Sequence, residues 1–129
     1  MKTPLIFSCF ATLTLAACAS APTGPVPSGF DASASSFEGW VRISGEEFRL
    51  YDTRERMLTG GQVCVSGAMP RNLQRASGDI DGQKVRYSGR TLAWSERSGA
   101  QTHNWQGSTL INSCHKDVVI LADRVEVLR

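Results

Sequence analysis

Two histidines, two late cysteines and a scatter of acids are the side chains in this 129-residue chain with the chemistry to act on a substrate. A serine hydrolase needs its nucleophile on a sharp turn with a histidine and an acid close by, and the chain contains no G-x-S-x-G stretch. His115 and Asp117 could pair as a base and its orienter, yet two positions apart in a polar turn is a common chance spacing. Glu46-Glu47 reads as a solvated hairpin tip, and no glycine-rich phosphate loop occurs. Metal binding would have to draw on Cys64, Cys114, His115 and His103. Structural zinc sites usually hold a close pair such as C-x₂-C, whereas Cys114 and His115 are adjacent and would face opposite sides of a strand. No metal or cofactor is therefore expected, and a metal-binding or hydrolytic site on His103 and His115 stands as the competing reading.

A binding surface is the alternative that the residue types favour. Arg90, Trp94, Arg97, His103, Asn104 and Trp105 fall in and around one polar stretch. They combine flat rings with hydrogen-bond donors of the kind that stack on sugars or bases. The competing reading has Trp94 filling the core and Trp105 covering its end, because buried aromatics dominate small cores. The net charge is +2, and thirteen Lys+Arg face twelve Asp+Glu once Lys2 is set aside. Nucleic-acid binders carry a basic excess, so no nucleic-acid partner is expected.

Lys2 is set aside because the chain opens as a secretion leader. One positive charge precedes the apolar run from Leu5 to Leu15, which is shorter than the ~20 residues that a membrane span requires. The run ends in Leu15-Ala16-Ala17-Cys18, which resembles the lipobox of bacterial lipoproteins. The resemblance covers these four positions and the leader ahead of them. It implies cleavage before Cys18, acylation of that cysteine, and anchoring in membrane lipid by chains that each add ~0.8 kcal/mol per buried methylene. Ala19 in place of an aspartate implies sorting to the outer membrane, with the domain facing the periplasm. An ordinary signal peptide cut at Ala19 or Ala21 is the alternative.

With Cys9 in the leader and Cys18 taken by lipid, Cys64 and Cys114 remain in a domain facing an oxidising compartment. A disulfide between them is expected, worth ~4 kcal/mol for a loop of about fifty residues; free thiols or a metal site are the other readings. The division is then 1–17 signal peptide, 18–36 lipidated cysteine and flexible tether, and 37–129 folded domain. The tether is rich in Ala, Ser, Gly and Pro and lacks the apolar density to order itself, giving a reach of ~25 Å.

Elements able to position these groups read as all-β. Val41 and Ile43 alternate with Trp40 and Arg42; Gly45 breaks the run, and Phe48 and Leu50 resume it as a hairpin. A helical turn is expected at Arg54 to Leu58, a strand over Gln62 to Gly67, and a short helix over Arg71 to Ser77. A bent strand follows Asp81-Gly82 through Val85, Tyr87 and Gly89 to Leu92, and 96–107 reads as a long polar loop. Val118-Val119-Ile120-Leu121 is apolar throughout, the pattern of a strand covered on both faces. Five or six short bent strands with one or two helical turns suit a closed barrel, and their order resembles an OB-like barrel. Barrels of that kind bind oligosaccharides or oligonucleotides on one face. The residues together point to a lipid-anchored binding or envelope-maintenance module with no enzymatic activity, meeting an envelope polysaccharide or protein.

Overall fold

The computed structural model describes residues 22–129. The leader, Cys18 and its lipobox lie outside the described residues. Five strands close into a barrel in the order β1-β2-β3-β7-β4. They are β1 (Ser36–Ser44), β2 (Glu47–Tyr51), β3 (Val65–Ala68), β4 (Lys84–Ala93) and β7 (Val118–Val127). Helix α1 (Arg54–Thr59) joins β2 to β3, and α2 (Arg71–Ala76) joins β3 to β4. The connection from β4 to β7 holds a single 3₁₀ turn (Trp94–Glu96) and a hairpin of β5 (His103–Trp105) and β6 (Ser108–Leu110). β3 and β7 pair in parallel, whereas the other barrel pairs are antiparallel. This is a small OB-like barrel.

Local chemistry accounts for the elements. Thr53 caps α1 by accepting from the Arg56 N–H at 3.2 Å, and Gly60 ends it in the left-handed conformation. The long strand β4 bends where the register shifts between Ser88 and Gly89, at the glycine where the sequence suggests a bend. A Cβ at Gly89 would overlap the Leu121 carbonyl, so β4 can approach β7 this closely only with glycine there.

Alternation sends Val41, Phe48, Leu50, Val65, Val85, Tyr87 and Ile120 into the barrel. Phe48 and Tyr87 stack at 3.9 Å between centroids, and the Phe48 ring lies over Gly67, where any side chain would displace it. The Tyr87 hydroxyl has no hydrogen-bond partner among the described residues, and burial pushes its phenol well above the usual range. Removing an unsatisfied buried hydroxyl relieves its desolvation cost. Tyr87→Phe is therefore expected to leave stability unchanged or raise it by about 1 kcal/mol in denaturant unfolding; a loss of that size would reveal a partner for the hydroxyl.

A second apolar cluster lies outside the barrel wall. Val119 and Leu121 alternate with Ile120 and point outward, where they join Ala68, Trp94 and Leu110, with Leu92 and Trp105 packed against them. Both faces of β7 are thus covered, as its unbroken apolar run requires.

Two departures from the sequence reading concern irregular segments. Residues 103–105, within the stretch expected to be loop, form a strand that pairs with 108–110 as a hairpin on the barrel wall. The described part of the expected tether is docked. Val26, Phe30 and Ala34 pack against the core, Phe30 stacks on Phe37 at 5.4 Å, and Gly24 bridges Lys116 in parallel. Gly24 N–H donates to the His115 carbonyl at 2.9 Å, and Asp117 N–H donates to the Gly24 carbonyl at 2.8 Å. Three spaced apolar residues are too few to order a segment alone, but a preformed barrel supplies the apolar surface and backbone partners.

Candidate ligand-binding surface

The outer face of β2 and β3 is where an OB-like barrel ordinarily takes ligands. Here the chain itself covers that face. Residues 108–114 run across it as a strap. At one end the Ser108 hydroxyl donates to the Met69 carbonyl at 2.6 Å. In the middle, Glu47 Oε2 accepts from Ile111 N–H at 3.2 Å, and Glu47 Oε1 accepts from Ser113 N–H at 2.9 Å and from its hydroxyl at 3.2 Å. At the far end Cys114 N–H donates to the Ser66 hydroxyl at 2.9 Å, and the Cys64–Cys114 disulfide fixes the strap to the start of β3.

Glu47, Ser66 and Ser108 are all buried; Glu47 and Ser66 satisfy backbone N–H groups of the strap, and Ser108 on the strap satisfies the Met69 carbonyl in return. Glu47 is thus no solvated tip; only its neighbour Glu46 is exposed. Alternation puts Glu47 outside the barrel, and the strap then closes over it. Nothing in the local sequence distinguishes it from a surface acid.

The disulfide joins two buried cysteines across a Cα–Cα distance of 5.5 Å, beside Tyr51 and Met57. The pairing expected from the cysteine count is present, and Cys64 and Cys114 are not metal ligands here. Among the described residues no three His, Cys, Asp or Glu side chains gather to hold an ion.

Of the six residues expected around an aromatic surface, four resolve into two arginine–tryptophan pairs. Trp94 is 4% exposed and belongs to the outer apolar cluster, with the Arg97 guanidinium 5.3 Å from its ring. Trp94 therefore fills a core, the competing of the two readings from sequence, and is no stacking platform. Trp105 is half-buried: its indole N–H donates to the Ala122 carbonyl at 2.8 Å, and Arg90 lies 5.5 Å over the ring. The two rings clamp the inserted hairpin to β7.

The histidines take separate roles. His103 Nδ1 accepts from Ser98 N–H at 3.0 Å within the insertion. Desolvation first, and the charge of Arg90 second, hold its pKa below the usual value of 6.5. Since the folded pKa lies below the unfolded one, the protein gives up stability as the pH falls through about 6.5 toward the folded value, and has the full contribution above that window. NMR titration of the ring is expected to give a midpoint below 6.5, and Arg90→Ala should recover only part of the shift. A midpoint unmoved by Arg90→Ala would remove that charge as a cause.

His115 is exposed, with φ +53°, beside a cavity of about 200 Å³. Thr23, Gln101, Thr102 and Asn112 share this cavity with His115, and Trp94 and Ile111 complete its lining. Asp117, the acid imagined as partner to His115, accepts from the Thr23 hydroxyl at 2.6 Å. The Asn112 side chain is engaged at both atoms by Lys116, accepting from its N–H and donating to its carbonyl. The cavity thus joins three segments distant in sequence: the docked arm, the loop before β5 and the strap. Its walls mix an aromatic side chain with hydroxyl, amide and imidazole groups.

Compared with protein-family models, curated proteins and solved structures, the chain matched none.

Proposed function

We propose that this protein is a lipid-anchored, non-enzymatic binding module of the bacterial envelope, held in the outer membrane by acylated Cys18, that takes a sugar unit of an envelope polysaccharide. The observation that carries the ligand reading is the polar cavity of about 200 Å³ where Thr23, Thr102 and His115 meet beside Trp94. With the β2–β3 face sealed by the strap, this cavity is a concave polar surface lined in part by Trp94, one of the aromatic residues that the sequence singles out. The charged leader and the lipobox ending at Cys18 support the anchor. A buried disulfide is in keeping with an oxidising compartment.

Titration of isotope-labelled protein with soluble peptidoglycan fragments tests the ligand. Amide shifts centred on Thr23, Thr102 and His115 are expected; saturating fragments with no shift at these positions would overturn it. Mass spectrometry of the mature protein tests the anchor independently. Acyl mass on Cys18 is expected, with Cys18→Ser releasing the protein to the soluble periplasmic fraction.

A further inference from the structure

We infer that the barrel rests on the bilayer by one end, with the exposed side chains of Leu58 and Val63 in the lipid headgroup layer. This rests on the acylation of Cys18 proposed above. An anchored domain on a long flexible leash has no fixed orientation, but the docked arm makes the leash short. Thr23 is tied to Asp117, and Gly24 bridges Lys116. Only five residue steps separate Cys18 from Thr23, and a fully extended chain of that length reaches ~17 Å. Whatever surrounds Gly24 and Lys116 must stay that close to the acylated residue.

What surrounds them is the β2–β3 connection. β3 and β7 run parallel, with Gly67 opposite Ile120, so Cys64 and Asp117 precede their strands at the same end of the barrel. Lys116 Nζ donates to the Gln62 carbonyl at 2.7 Å, fixing the connection beside the arm. The disulfide joins the same two segments.

This connection carries two of the three large apolar side chains that are exposed among the described residues. Leu58 is 55% exposed and Val63 is 43% exposed. Isolated exposed apolar residues need no explanation, but two on the connection that the leash holds against lipid have a ready partner. Shallow burial of apolar side chains at the headgroup boundary adds to lipid anchoring. The bilayer that holds the acyl chains is therefore the occupant of this surface.

The test uses the mature acylated protein in vesicles of phosphatidylethanolamine and phosphatidylglycerol. A photoreactive phenylalanine analogue replaces Leu58 or Val63 in turn, and Glu46 or Asp79 in the turns at the opposite end of the barrel. Lipid adducts at positions 58 and 63 are expected to exceed those at 46 and 79 several-fold. A flexible Gly/Ser segment inserted between Ala21 and Pro22 is expected to abolish the difference while acylation continues. Equal labelling at all four positions, or a difference that survives the insertion, overturns the orientation and leaves the anchor intact. A mature protein without acyl mass on Cys18 overturns both.

Discussion

Replacing Cys64 and Cys114 together by alanine is expected to lower the unfolding free energy by about 4 kcal/mol, the loop-closure entropy that a separation of fifty residues releases in the unfolded chain. Small domains have only ~5–15 kcal/mol of stability in total, so the variant should melt on the order of 20 °C lower or fail to accumulate. The location of the bond adds a local effect. Cys114 ends the strap over β2 and β3, and both sulfurs are buried beside Tyr51 and Met57. The variant should therefore lose hydrogen-exchange protection first at the backbone N–H of position 114 and its neighbours in 108–114. Denaturant unfolding with and without reductant measures the global term. A change below about 1 kcal/mol would mean that hydrogen bonds and packing alone hold the strap.

Glu47→Ala is expected to cost about 3 kcal/mol, because it strips a buried carboxylate from two backbone N–H groups and a hydroxyl and leaves them without acceptors. Glu47→Gln keeps the shape and one acceptor oxygen but turns an amide NH₂ toward one of the donors, so about half that loss is expected. Thermal unfolding reads the magnitude, and exchange rates at the Ile111 and Ser113 amides read the location. Stability within ~0.5 kcal/mol of the parent would be the result for a surface acid, contrary to the buried position. Glu47 and the disulfide hold the same segment, so their effects should not add. Once Cys114 is released the strap is partly free, and removing Glu47 as well should cost less than the sum of the two single changes.

The opened strap offers a further view of the barrel. Ser66 and Ser108 make their bonds only while residues 108–114 lie across β2 and β3. The face so sealed is the one through which related architectures bind. A surface covered by the chain's own insertion is closed to a ligand, so the binding proposed above is placed elsewhere. The cavity at Thr23, Thr102 and His115 lies along the edges of the same insertion.

Much of the barrel was legible because strand periodicity is local. Val41 and Ile43 against Trp40 and Arg42 set the face of β1, Gly45 ended it, and Gly89 marked the bend in β4. Val118 to Leu121 announced a strand covered on both faces without saying what covered the outer one. The cover proved to be Trp94, Leu110 and Trp105, the first and last of which carried the strongest suggestion of a ligand surface. An aromatic beside an arginine has the same local signature whether its ring meets a sugar or a neighbouring strand. The described part of the proline-rich arm was misjudged for a related reason: its own composition could not order it, and its partners at His115 to Asp117 are some ninety residues away.

The sequence by itself determined the all-β periodicity and the bend at Gly89, led to the expectation of a Cys64–Cys114 bond that the structure contains, and from Leu15 to Cys18 carries the resemblance on which the proposed anchor rests. Only the tertiary structure decided that Glu47 is buried, that Trp94 belongs to the core and that residues 23–35 lie on the barrel. The physical reason is the range of the interactions. Alternation, turns and cysteine count are written in neighbouring residues or in composition, whereas burial of a polar or aromatic side chain depends on which distant segment closes over it.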